Sequence, residues 1–302
     1  MAPPIRRVTP SLVIADQAFQ VISWELDERL DEPSTLRCDL SLGDAALPRP
    51  GTLVDERAHF SLTRDDDQVR RFHGLVVAAE VLPDDDDVPY LRVEVAPSLW
   101  ELDQRADCRI FQEKSAVDIV KAVLEGAGID AAKQEWRLGE DHPVRTYTAQ
   151  YRETDLCFVR RLLFEEGIHF AIHATEEDGK IVFGDAPEGL GDVEGEAKLE
   201  FHPEFGHEIA ADVVRNVERV SVVRSDKTYT RDYDPERPRL DLSGGAEGND
   251  PGEHGLEVYD WPARSHEPEV AARRAKVLLE SMQAERDVIR AETGSLALWP
   301  GL

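Results

Sequence analysis

Gln150 to His173, QYRETDLCFVRRLLFEEGIHFAIH, carries a helix and the strand that leaves it, and this junction decides the fold. Thr154 has the chemistry of an N-cap, and Asp155 puts an acid in the first turn, where the helix dipole favours it. Leu156, Val159, Leu162 and Leu163 share one face at a period of 3.6 residues, and Gly167 is the expected stop. Beyond it Ile168, Phe170 and Ile172 alternate with His169, Ala171 and His173, and Asp178-Gly179 turns the chain into Ile181-Val182-Phe183. A helix therefore runs into a hairpin, which calls for a chain that mixes helices with antiparallel strands.

Upstream, Ser115 and Asp118 form a capping box ahead of the stripe Ala116, Ile119, Val120, Val123, Leu124 and Ala127, with Gly126 or Gly128 as the stop. Before that helix the pattern is strand-like. Leu12-Val13-Ile14, Phe19 to Ile22, Leu36 to Leu40, His59 to Leu62, Arg70 to Val77 and Leu91 to Val95 are short apolar or alternating runs, expected to form an antiparallel sheet or barrel. Gly74 is expected to mark a bulge or a bend. The acidic runs at 65–67 and 84–87 lie between such segments and read as solvated hairpin tips rather than calcium loops.

Downstream, residues 184–198 are Gly- and acid-rich and read as an exposed connection between lobes. Strands return over 215–233, and residues 242–255, with five glycines, read as a long loop. Pro268 suits a first helical turn, and Val270, Ala271, Ala275, Leu278, Leu279 and Met282 form one face of a third helix. A strand-like stretch then reaches Leu298-Trp299-Pro300-Gly301-Leu302 with no polar tail, the pattern expected of a piece of something longer.

The chain has 302 residues, enough for about two lobes, and 41% hydrophobic content spread along its length rules out a disordered chain. A formal charge of −27 argues against nucleic acid and anionic membrane surfaces as partners. No apolar run approaches the roughly 20 residues of a membrane span. Cys38, Cys108 and Cys157 are widely spaced without a CxxC pair, so buried free thiols are expected rather than disulfides or zinc.

Catalytic patterns fail one by one. His207-Glu208 opens like a zinc-protease motif, but Ala211 stands where the second histidine belongs. The glycines of residues 189–195 have the wrong spacing for a dinucleotide loop and bring two carboxylates toward any pyrophosphate. Ser243 and Ser295 lie near glycines without the strand-turn-helix setting of an activated nucleophile. His169 and His173 read as a polar strand face, and Glu165-Glu166 and Glu176-Glu177 as pairs expected by chance in so acidic a chain. No catalytic residue, cofactor or metal is expected.

Two longer segments resemble a known family. Tyr90 to Ile129, YLRVEVAPSLWELDQRADCRIFQEKSAVDIVKAVLEGAGI, and Gln150 to His173 are similar to the N-terminal hub region of type VI secretion spike proteins (VgrG) and of phage baseplate hub and tail protein D-like proteins. Trp100, Arg109, Ile110, Phe111 and Gln112 carry the likeness in the first. Tyr151, Glu153, Asp155, Phe158, Leu162, Leu163, Glu166, Gly167 and Phe170 carry it in the second. Phe72-His73-Gly74 and Tyr259-Asp260-Trp261-Pro262 extend it, whereas the first 55 residues, with Pro48 and Pro50, depart more.

The resemblance implies a mainly β chain with helices (α+β): two β-barrel tube-type domains with inserted helices, phage baseplate hub-like. The first tube domain is expected over residues 1–105, a helix-containing α/β insertion with a hairpin over 106–198, and the second tube domain with a C-terminal helix over 199–302. It further implies a non-enzymatic homotrimer that joins a hexameric inner tube (Hcp-like) to a three-fold spike. The spike or needle with its tip protein is C-terminal or separate, and baseplate proteins surround the hub. Assembly is expected in the cytoplasm and ejection on contraction, with no membrane anchoring. Family members carry an OB-fold and a β-helical needle after this region, so the chain reads as a hub fragment or a naturally split hub. The alternatives are a non-catalytic binding module, such as a carbohydrate-binding sandwich, and an effector enzyme domain. The five tryptophans, scattered without a period, do not favour the binding module.

Overall fold

The structure, a computed structural model, describes residues 8–41, 48–65, 69–83, 90–174, 179–186, 198–201, 213–248 and 255–301. The acidic runs beyond Asp65, Glu176-Glu177, the glycines of 189–195, most of the 184–198 connection, His207-Glu208 and Leu302 lie outside the described residues.

Six strands close into an antiparallel barrel in the order β1-β2-β3-β6-β5-β4. They are β1 (Val8–Ile14), β2 (Gln17–Asp27), β3 (Thr35–Ser41), β4 (Arg57–Arg64), β5 (Val69–Leu82) and β6 (Tyr90–Ala96). Period-2 alternation fills the interior. Leu36, Cys38 and Leu40 of β3 point inward opposite Val95, Val93 and Leu91 of β6, and all six are fully buried. Each fully buried apolar side chain of this size contributes about 1.5–3 kcal/mol. The bulge expected at Gly74 lies just beyond it, between Val76 and Ala78. Gly74 itself pairs in register with Ala58, and its glycine has another cause: a Cβ there would stand 2.3 Å from the Ala96 carbonyl oxygen.

The middle of the chain holds β7 (Ala106–Ser115), α1 (Ala116–Gly126), β8 (Gln134–Arg137), β9 (Val144–Thr154), α2 (Asp155–Glu166), β10 (His169–Ala174) and β11 (Gly179–Gly184). Both expected caps are present. The Ser115 hydroxyl accepts from the Asp118 N–H while Asp118 reaches back, Thr154 Oγ1 accepts from Cys157 N–H at 3.1 Å, and Gly167 ends α2 at φ 67°. α1, α2 and the β10–β11 hairpin enclose a second core containing Val120, Leu124, Phe158, Leu162, Phe170 and Phe183. β8 adds to β11 in parallel, which stacks Trp136 on Phe183 with centroids 3.9 Å apart. The helices are joined by an element that the sequence patterns do not reveal, a two-stranded ribbon of β7 and β9.

The C-terminal lobe contains β12 (Glu200–Phe201), β13 (Val213–Ser221), β14 (Lys227–Asp232), β15 (Leu242–Glu247), β16 (Glu257–Asp260), α3 (Pro268–Ala284) and β17 (Asp287–Thr293). Among the described residues its strands form two three-stranded sheets, β12-β13-β17 and β15-β14-β16, and the closed barrel is the N-terminal one. The loop expected over 242–255 is corrected in its first half: β15 is a strand. Its glycines admit α3, because a Cβ on Gly244 would lie 2.5 Å from the Ala271 carbonyl oxygen. The hydroxyls of Thr228 and Thr230 on β14 donate to the carbonyls of Ala275 and Ala271 on the same helix, at 2.6 and 2.9 Å.

The segment after β17 returns to the first barrel. Leu296 packs on the barrel core, Arg70 of β5 stacks over the Trp299 ring at 4.0 Å and donates to the carbonyls of Leu296 and Leu298, and Glu28 pairs with the same guanidinium. This clasp ties the two ends of the chain together.

Candidate functional site

Two groups of charged side chains are built on α2: one holds the β7–β9 ribbon to the helix, and the other joins the middle of the chain to α3. At the N-terminal end of α2 Asp155 is buried and binds Arg109 of β7, while Gln150 of β9 donates to the same carboxylate at 2.9 Å and Arg109 Nε donates to Gln150 Oε1 at 2.8 Å. The ribbon is thus held to the helix mainly by a satisfied polar triad, beside the single ring of Phe111, which is why β7 and β9 show no clean alternation in sequence. Arg161 adds a pair with Glu153 at 2.5 Å and donates to the Ala149 carbonyl at 3.2 Å.

The other group stands at the C-terminal end of α2, where the middle of the chain meets α3. Glu166, its side chain 3% exposed, accepts from Arg145 of β9, from Arg273 of α3 at 3.0 Å and from His142 Nδ1 at 3.2 Å. Burial pushes its pKa up, but the His142 hydrogen bond and the guanidinium of Arg145 outweigh that and hold it down at about 2. Glu165 gathers Arg145 at 2.6 Å, Arg274 at 3.6 Å and Arg264. His142 Nε2 lies 3.4 Å from Asp185, whose carboxylate accepts the N–H groups of Gly139 and Glu140, each at 2.9 Å. Burial acts upward on Asp185 too, but those two N–H donors leave it below the ordinary range.

Glu165-Glu166 is therefore no accident of composition, and the sequence reading is corrected there: Glu166 is a buried and Glu165 a half-buried ion-pair centre. An imidazole between two carboxylates has the outline of a proton relay, but His142 is enclosed and no hydroxyl or thiol bonds to it among the described residues. The node neutralises charge and locks geometry.

The remaining motif residues divide into core and surface. Phe72 lies in the barrel core, Phe158, Leu162, Leu163 and Phe170 in the second core, and Phe111 stacks on Phe158 at 5.7 Å. Trp100 is half-buried, and His73 pairs with His59 through Nδ1 atoms 2.6 Å apart. A Cβ on Gly167 would touch Val277 of α3 at 3.1 Å. Gln112, Asp260 and Pro262 are exposed, as are Ile110 at 63%, Tyr151 at 68% and Tyr259, which stacks on Tyr229. His169 and His173 do not share a ligand: His169 bonds Asp31 and His173 lies against Trp299. Of the thiols Cys38 is buried, its pKa pushed up by burial to about 12, while Cys108 and Cys157 are exposed, which corrects the expectation of three buried thiols. No group of three or more metal-ligating side chains occurs among the described residues.

Beside the node, β9, α2 and the 262–274 segment enclose a cleft of about 680 Å³, with Tyr147, Tyr151, Arg161, Arg264 and Arg274 in its walls.

Comparison with known proteins places this architecture. Residues 27–302 match the phage tail baseplate hub (GPD) family. The type VI secretion system spike protein VgrG4b of Pseudomonas aeruginosa is 33% identical over 278 residues, 89% of this chain and 33% of that protein. The chain spans about a third of the length of such curated relatives. In fold it is similar to a type VI secretion component of E. coli, itself similar to T4 bacteriophage tail proteins, with TM-score 0.58, 24% identity and coverage of 70% of this chain and 56% of that one. A tail protein from Neisseria meningitidis gives TM-score 0.64 at 11% identity, covering 93% of this chain and 79% of the other.

Proposed function

The chain belongs to the phage tail baseplate hub family, and from that premise we propose that it is the hub of a contractile injection machine, trimerising to join a hexameric inner tube to a three-fold spike. Three chains satisfy a six-fold tube when each brings two comparable strand-rich lobes. Residues 1–105 and 199–302 are the two tube lobes in this reading, and 106–198 the insertion between them.

The observation that carries the reading is an apolar, solvent-facing strand surface on each lobe. β2 exposes Ile22 at its bulge and leaves Trp24, whose ring lies against Phe60, 41% exposed, and β13 and β17 expose Val217 and Ile289. Apolar patches on strand faces mark protein contacts, and a closed ring covers both kinds. The hub is non-enzymatic: its buried charges are consumed in ion pairs that hold α2 to its neighbours. It is assembled in the cytoplasm, meets an Hcp-like tube protein on one face and a spike with its tip on the other, contacts baseplate proteins and is ejected on contraction.

Sedimentation equilibrium of the purified chain tests this. A trimer supports the hub, whereas a stable dimer sinks it. A second measurement separates surface from fold: Ile22→Asp with Ile289→Asp should abolish the trimer while leaving the circular dichroism spectrum unchanged.

A further inference from the structure

β9 is paired on one edge only, with β7, among the described residues. The other edge faces the cleft. Ala149 turns its carbonyl away from β7 to accept from Arg161, and alternation in an antiparallel ladder turns the backbone of Tyr147 and Tyr151 the same way. Val144, Tyr147 and Tyr151 stand exposed along this strand. The cleft is also unbalanced in hydrogen bonding. Its carboxylates are engaged: Glu153 by Arg161, Glu166 by Arg145 and Arg273, Asp232 by the Ser265 N–H at 2.9 Å and Glu267 by Arg237 at 3.2 Å. Three of its donors are not. The Nε–H groups of Arg145 and Arg274 and the hydroxyl of Thr148, a residue 6% exposed, are buried without a hydrogen-bond partner among the described residues, although both guanidiniums meet Glu165 through other nitrogens.

We propose that this cleft receives an extended acidic segment of another protein, which adds a strand to the edge of β9 over residues 144–147, ahead of the Ala149 carbonyl that Arg161 already holds, and sets a carboxylate against Arg145, Thr148 and Arg274. Buried orphaned donors call for an acceptor-rich ligand, and a strand edge calls for an extended one. β7 holds only the opposite edge of β9, so an extended segment can add on the cleft side without displacing a described strand. Burial depresses the pKa of Arg274, and the neighbouring Arg145 adds repulsion; the attraction of an incoming carboxylate offsets both. The cleft is complete within one chain, so it works whether or not three chains assemble.

The test uses a fluorescent, end-blocked peptide of alternating valine and glutamate, its glutamine counterpart, and two forms N-methylated on alternate amides of one edge or the other. The glutamate peptide should bind saturably, and the glutamine form about tenfold more weakly, since charge-assisted bonds are roughly twice as strong as neutral ones. One N-methylation pattern should abolish binding and the other leave it intact. Thr148→Val should weaken binding about fivefold without lowering the melting temperature, because the hydroxyl it removes has no partner to lose. Equal binding of glutamate and glutamine peptides, indifference to both methylation patterns, or no saturation at about millimolar peptide overturns the proposal. So does a peptide that dissociates an oligomer of the chain, because the edge is then a contact between copies.

Discussion

Glu166 keeps its charge where burial opposes it, because His142, Arg145 and Arg273 converge on it. Its folded pKa, about 2, lies below the ordinary value of 4.5, so its contribution is fully present above about pH 4.5 and is lost as pH falls through 2. Glu166→Gln should cost about 3–5 kcal/mol near neutrality, as breaking a buried pair does, and should flatten the fall in melting temperature between pH 4.5 and 2. Thermal melts across that range check both. The thiols give a second residue-scale result: alkylation of the native chain should label Cys108 and Cys157 quickly and Cys38 only after unfolding, as read by mass spectrometry. What was legible at this scale was local. Ser115, Thr154 and Gly167 act on neighbours within a turn, so their roles follow from spacing. Glu166 was not legible, because Arg273 lies 107 residues away and nothing in the flanking sequence points to it.

Elements follow the same division. α1, α2, the β10–β11 hairpin and the barrel strands bury apolar faces, and their periods stand out in the sequence. Leu162→Ala, on the buried face of α2, should cost about 2–5 kcal/mol in a thermal melt. The β7–β9 ribbon hid because its inner face is held by Arg109, Gln150 and Asp155, so no apolar alternation advertises it. β15 hid because Gly244 and Gly245 look like a loop, glycine being depleted in strands. The close approach of α3 explains the first of these and yields a paired expectation. Gly244→Ala drives a methyl into the Ala271–Ala272 backbone, 2.4 to 2.5 Å away, and should destabilise by 1–3 kcal/mol or more. Gly245→Ala meets the Tyr229 ring at an ordinary 3.5 Å and should be tolerated.

At the scale of the whole molecule, three chains of formal charge −27 repel one another when they meet. Screening falls as salt is diluted, the Debye length reaching about 30 Å at 0.01 M, so the population of the proposed trimer should rise with salt in light scattering. The mainly β, hub-like fold was legible through the family motifs; the clasp of Arg70 on the 296–299 segment was not, since it joins positions 226 and 228 apart. That clasp has a mechanical meaning. Tension applied at Gly301 enters β5 through Arg70 and Trp299 and β10 through the His173–Trp299 contact, so most of the length between residues 71 and 295 is shielded until those contacts break. In a single-molecule stretching experiment the chain should first yield at the clasp and only then release the length it encloses. Arg70→Ala should erase that first rupture, so that a device fired by sudden contraction would pass its recoil straight into the sheets of the C-terminal lobe.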